Sequence, residues 1–473
     1  MLLAAMAGGM GWGIRGQYGH ETGAMMAGLL VALTLACRWC ARWDALATAR
    51  VVAWATIATG FGGSMTYGQT LGLTQNAELI GRGDALAWGL LGTTVKGGVW
   101  IGFTGLFLGM GLGGVDYRPR QVLGAMLVAL GCFALGVWLL NEPYDPAYRR
   151  LPAIYFSATW EWYPQAGPEL RPRREVWGGL WLAWLALWGW AGWWRRDRLA
   201  RRLALWGVLG GGAGFTLGQA LQAWHAWHPA WFEQSWLAPL TRHFNWWNLM
   251  ETTFGFVWGG VVAWGVARNR AWIRPPGAGA LRPAWTSREE FLWLILHVGL
   301  LVPGTLADWW LSDAYLEVGL CLGLLPLVAV RAGRWWPWAM VMPVTLLPIT
   351  LKTVRQLAFQ EETVSVALGA ALYGVVPMLM ACGLMVWAFR LAARGAPAGR
   401  VFPWLWLAAT WIYFALNFAY FHYPWPWRPW TSRTPHGLVF LLFAIGSSVG
   451  AWRAGKAELW PARETAEGEP GGD

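Results

Sequence analysis

Charge is scarce in this chain. Only 13% of its 473 residues are Asp, Glu, Lys or Arg, about half the roughly 25% of a soluble domain, and that deficit argues against an ordinary soluble fold. Lysine is scarcer still: Lys96, Lys352 and Lys456 are the only three among 36 basic residues. With 42 Trp, the preference for Arg fits a GC-rich coding bias, and Lys96 and Lys352 stand out against it. Cysteine is nearly as sparse. Cys37 and Cys40, in "CRWC", alone among five have metal or redox spacing. No second pair completes a zinc site, so the motif reads as structural. Walker, dinucleotide, nucleophile-elbow and zinc-protease motifs are all missing. That argues against ATP-driven transport by this chain alone, and neither a cofactor nor a metal is expected.

Apolar runs fill the space that charge leaves. They recur near 2–14, 21–39, 51–73, 85–113, 121–140, 176–194, 203–223, 245–267, 289–306, 313–330, 335–351, 364–389, 402–419 and 436–452. Most approach the roughly 20 residues needed to cross a bilayer. The pattern predicts an all-α, polytopic integral membrane protein with about 13–14 transmembrane helices. The first run, about a dozen residues, is short for a full span, and no basic region of a signal peptide precedes it.

The loops between the runs alternate in charge. One set, from Arg38, Arg42 and Arg50 to the tail's Arg453, Lys456 and Arg463, carries 23 Lys and Arg, and the other carries 12. The positive-inside rule makes the richer set and the C-terminus cytoplasmic, with the bacterial inner membrane as the expected location. The formal charge of +11 is then a loop property and does not call for a nucleic-acid partner. The expected division is a membrane unit at 1–140, an outer loop or small cap at 141–175, a second unit at 176–270, a helical bundle at 289–452, and a disordered tail at 453–473.

The arginine-poor loops are aromatic: "YFSATWEWYPQ", "HAWHPAWFEQSW" and "YFHYPWPWRPW". Flat rings with one polar group favour membrane interfaces, so a belt explains them better than a saccharide platform. His225 and His228, with Glu233, are a partial ligand set, but Pro229 argues for an irregular interfacial loop. "LKTVRQLAFQEET", holding Lys352, Arg355, Gln356, Glu361 and Glu362, reads as a solvated amphipathic segment. Asp308 and Glu317 bracket the preceding hairpin.

A repeat organises the polar residues. "GFGGSMTYGQTL" (60–71) and "GGGAGFTLGQAL" (210–221) share six of twelve positions without gaps, and "WGLLGTT" (88–94) is matched by "WNLMETT" (247–253). The order predicts an internal duplication, about 21–113 against 176–267, with parallel topology because an even number of spans separates the copies. "GIRGQYGHETG" (13–23) carries a third, partial copy, expected at about 8–22. Gly16-Gln17 matches Gly68-Gln69 and Gly218-Gln219. Glu21-Thr22 matches Glu251-Thr252 and, with the acid lost, Gly92-Thr93.

These matches put polar groups at one depth in the outer half of the membrane. Ionised side chains cost at least about 2.5 kcal/mol there, and they face a cavity or a partner. The predicted solute- or ion-binding residues are Arg15, Gln17, His20, Glu21, Gln69, Thr93, Lys96, Gln219, Glu251 and Thr252; no catalytic residue is assigned. Glycines 60, 62, 68, 210, 212 and 218 would either bring helices close or let them unwind. The opposing expectation is that Glu21 or Glu251 pairs with Arg15 or Lys96 and merely ties helices together.

The expected function is a transporter or permease for a polar or anionic small solute, with Glu21 and Glu251 carrying a coupling proton or cation. The alternatives are a membrane-embedded transferase acting on a lipid or lipid-linked sugar at the outer face, and a structural membrane subunit. Membrane lipid and a polar or lipid-linked substrate are the expected partners.

Overall fold

The computed structural model describes residues 1–165, 172–306, 309–423 and 429–459. No β-strand occurs among the described residues. The elements in chain order are α1 (Leu2–Arg15), α2 (His20–Trp39), α3 (Ala45–Thr59), α4 (Gly68–Gln75), α5 (Gly83–Leu112), α6 (Pro119–Leu140) and α7 (Trp177–Gly189). They continue with α8 (Arg198–Trp227), short α9 (Pro229–Gln234) and α10 (Ala238–Thr241), α11 (Trp246–Arg268), α12 (Ser287–Leu301), α13 (Pro303–Leu306) and α14 (Trp310–Glu317). The last are α15 (Gly319–Ala332), α16 (Trp336–Val341), α17 (Pro343–Val354), α18 (Val366–Gly369), α19 (Val376–Ala393), α20 (Ala398–Tyr420) and α21 (Thr434–Leu459).

Every predicted apolar run is helical over most of its length, yet fewer helices than the expected 13–14 have spanning character. Among the described residues, ten are long and apolar enough to cross a membrane, or eleven if α14 and α15, bent by 80°, form one span. The difference has local causes. Helix α1 has only 14 residues. Helix α7 passes into a π-helical turn after 13. Helix α8 has 30 residues, but a run of glycines and Gln219 dilute its hydropathy. The tail predicted to be disordered from 453 is helical to Leu459, and residues 460–473 lie outside the described residues.

Six helices pack in a closed cycle: α1 on α2, α2 on α3, α3 on α5, α5 on α8, α8 on α11, and α11 back on α1. Neighbours run antiparallel, as the pairings Gly8–Gly255 and Gly97–Gly211 and their flanking contacts require. Without a hydrophobic drive between helices in lipid, close backbone approach supplies the packing energy. A Cβ at Gly97 or Gly211 would collide with the carbonyl of the other, and one at Gly207 with that of Ile101. Trp12, Trp100, Phe215, Phe254 and Trp258, all buried, pack inside the cycle, with Trp12 edge-on to Trp100 at 5.1 Å and to Phe254 at 4.4 Å. Helices α15 and α16 brace α3 from outside, and α20 and α21 brace α1 and α2.

The glycine-rich repeat segments differ in conformation. At 60–67 the chain unwinds: a single tight turn over Phe61–Ser64 is followed by extended backbone at Met65 before α4 resumes. At 210–214 the helix continues unbroken, and the glycines serve close packing against α5 and α11.

Candidate functional site

The site lies at the end of the cycle where α1 and α8 finish and α2, α5 and α11 begin. Its first element is the turn "GQYG". Gly19 adopts φ +90°, a left-handed value that L side chains resist, and this returns the chain into α2 four residues after α1 ends. The turn is held from outside the cycle: Lys352 Nζ donates to the Tyr18 carbonyl at 2.9 Å. The unwound segment then lies directly on the start of α2, because Gly63 approaches so closely that a Cβ would sit 2.5 Å from the Glu21 amide nitrogen.

At the centre is a buried triad. Arg15 Nη2 donates to the Tyr67 hydroxyl at 2.7 Å and lies 3.4 Å from Glu251 Oε1. The Tyr67 hydroxyl in turn donates to the same carboxylate oxygen at 3.1 Å. Arg15 is only 2% exposed, and its guanidinium carbon lies 4.7, 5.2 and 5.4 Å from the ring centres of Trp12, Trp100 and Tyr67. Cation–π attraction there replaces part of the lost hydration.

Two cavities meet at Tyr67. The larger, about 1530 Å³, opens at this end of the molecule and is lined by His20, Glu21, Ser64, Tyr67, Arg173 and Glu317, among others. One wall is apolar and comes from Phe133, Val137 and Trp138 of α6. The smaller, about 260 Å³, is lined by Gln17, Tyr67, Asn245, Asn248, Glu251 and Arg433, among others. Asn248 Nδ2 donates to the Gly13 carbonyl at 2.8 Å, and its buried Oδ1 has no hydrogen-bond partner among the described residues. The Glu21 side chain, unlike Glu251, makes no ion pair and no side-chain hydrogen bond among the described residues.

The structure therefore divides the ten predicted residues. Arg15 and Glu251 join in the triad, Gln17 borders the small cavity, and His20 and Glu21 border the large one, with the His20 ring 5.1 Å from that of Tyr67. The other five do not converge there. Lys96 pairs with Glu175 at 2.5 Å and donates to Thr70 Oγ1 and the Thr66 carbonyl, each at 2.7 Å. Glu175 also accepts from Ser157 Oγ and the Phe156 amide, each at 2.9 Å. The pair thus ties the 141–175 segment to α5. Gln69 does the same by accepting from Tyr155 and the Arg173 amide. Gln219 donates to Thr74 Oγ1 at 2.6 Å. Thr93 meets Thr216 at 3.3 Å, and Thr252 donates back to the Asn248 carbonyl at 2.7 Å. Of the three glutamines, Gln69 takes part in loop docking, Gln219 in helix packing, and Gln17 borders the small cavity.

Outside this region, His225 stacks on Trp246 at 3.9 Å, which places it in an aromatic cluster. Glu361, in the segment read as solvated, accepts from Gln356 at 2.7 Å and contacts His422 at 2.7 Å. Asp308 lies outside the described residues. Sequence reasoning missed Tyr67 and Glu175. Tyr67 had a signal, since it immediately precedes Gly68-Gln69 as Arg15 precedes Gly16-Gln17. Glu175 had none, being one acid beside two arginines in a long loop.

No protein family, curated protein or solved structure matches this chain.

Proposed function

We infer that the protein is a permease for a small polar or anionic solute, with the large cavity as its entrance and the Arg15–Tyr67–Glu251 triad as its gate. The observation that carries this reading is the position of the triad. It lies between an open cavity with polar residues on its wall and the mouth of a closed six-helix cycle whose interior holds a cluster of aromatic side chains. Gates of this kind open by small helix shifts, because packed interfaces have discrete alternative arrangements. The matching stations of α1–α2, α3–α5 and α8–α11 support an internal duplication, with α1–α2 as its partial third copy. The positive-inside rule makes the cavity end the outer face of a bacterial inner membrane, with the C-terminus cytoplasmic.

The residues take the following roles. Glu21, a cavity-lining carboxylate in no ion pair among the described residues, receives a coupling proton or cation. Arg433 lines the small cavity, and with Arg15 already paired to Glu251 it offers its charge to an anionic group on the solute. Gln17 and Asn248 orient the solute by hydrogen bonds. The test is thermal stabilisation of purified protein by a panel of sugars, amino acids and organic anions, followed by uptake of any stabilising solute into liposomes. Stabilisation should be weakened in Glu21→Gln and Glu251→Gln. Stabilisation only by a lipid-linked compound would contradict the permease reading.

A second reading, a transferase acting on a lipid or lipid-linked sugar, draws on the apolar α6 wall. Trp138 lines the cavity and is 67% exposed on the flank of the bundle, so an acyl chain there would remain in contact with lipid.

A further inference from the structure

A second opening lies at the opposite end of the cycle from the gate. Between the arginine-rich ends of α8 and α11 runs a groove of about 620 Å³, lined by Arg202, Leu205, Trp206, Leu209, Trp264, Arg268 and Asn269. Gly265 makes it possible, since a Cβ there would collide with the Trp206 indole. The Trp206 and Trp264 rings, 5.2 Å apart at 55°, form the floor. Leu205 and Leu209, 49% and 54% exposed, stand one turn apart on α8 and continue the apolar surface toward the membrane centre.

The rim is cationic and already organised. Arg202 Nη1 donates to Asn269 Oδ1 at 3.1 Å, and Asn269, 5% exposed, is fixed by donating Nδ2 to the Gly265 carbonyl at 2.8 Å. Arg268 lies 5.5 Å from the Trp264 ring centre. Neither arginine forms an ion pair with a carboxylate among the described residues, and no acid lines the groove.

We propose that this groove binds an anionic phospholipid of the adjoining leaflet, with the phosphate between Arg202 and Arg268 and an acyl chain along Leu205 and Leu209. Charge complementarity selects the headgroup. Two guanidiniums without carboxylate partners attract a net negative lipid, whereas a zwitterionic lipid brings its own cation to the same rim. The apolar floor selects a lipid over a free anion, because a soluble phosphate would leave Leu205 and Leu209 unused. The site is independent of the gate and does not depend on what the protein transports.

The test is native mass spectrometry of the delipidated full-length protein with phosphatidylglycerol or phosphatidylcholine of identical acyl chains. The wild type should retain phosphatidylglycerol preferentially, with each arginine supplying about fivefold of that preference. Arg268→Gln, which breaks no side-chain hydrogen bond among the described residues, should lose about fivefold, and R202Q/R268Q should bind the two lipids almost equally. R390Q/R394Q, which removes positive charge from the end of α19, should keep the wild-type preference. Equal retention of both lipids by the wild type, or an unchanged preference in Arg268→Gln and R202Q/R268Q, would overturn the proposal.

Discussion

Arg15 donates a 2.7 Å hydrogen bond to the hydroxyl of Tyr67, and the two residues hold the same station in successive helical hairpins, each immediately before a Gly-Gln pair. In the third hairpin that station is Leu217. Glu251, at the start of α11, closes the group from the other side of the cycle. Residues 236 positions apart in sequence are thus brought together by the closure of α11 onto α1.

The triad should respond unequally to the loss of its members. Glu251→Leu leaves a buried guanidinium without its counter-charge, which is expected to cost about 3–5 kcal/mol. Arg15→Met combined with Glu251→Leu removes both charges and should recover much of that loss. The comparison is a double-mutant cycle read from unfolding in mixed micelles; strictly additive losses would mean that the ion pair is energetically idle.

Tyr67→Phe keeps the ring packed against Phe215, at 5.5 Å, and deletes only the hydroxyl. The expected cost is about 1–3 kcal/mol, because Arg15 and Glu251 each lose a buried partner. Thermal unfolding in detergent measures it. A neutral result would show that Arg15 and Glu251 close together without the tyrosine.

Glu21→Gln should behave in the opposite way. With no ion pair to break, it should leave the melting temperature within error of the wild type while weakening solute-dependent stabilisation. A large drop in stability would assign Glu21 a structural tie instead.

Lys96 and Glu175 hold the 141–175 segment against the bundle. Either Lys96→Met or Glu175→Gln should cost about 3–5 kcal/mol by stranding a buried partner, and both should expose the segment to limited proteolysis. Proteolysis at the wild-type rate in both variants would show that Gln69 and Tyr155 suffice to dock the loop.

Helical content, the polar stations and the glycine seams were legible in the sequence because each is local. Apolar runs report helices, and Gly-Gln followed by Glu-Thr or Gly-Thr reports the hairpin tips. Which polar residue meets which was not legible, because partner choice is set by the order of the cycle. Lys96 was expected near Glu21 or Glu251 and instead meets Glu175, whose loop folds back over α5. The same glycine pattern unwinds at 60–67 and stays helical at 210–214. Gly63 in the first copy lies against the start of α2, whereas the second copy is clamped between α5 and α11. Surroundings rather than local sequence decide there.

Whether the aromatic plug opens is the central question, and it can be tested without knowing the solute. Gln17 borders the small cavity beside the gate, so Gln17→Cys in a cysteine-free background should be labelled by a membrane-impermeant maleimide added from the cavity face. Alternating access predicts labelling from the arginine-rich face as well, in sealed vesicles of the opposite orientation. Labelling from the cavity face alone, at every temperature and solute tried, would contradict the permease.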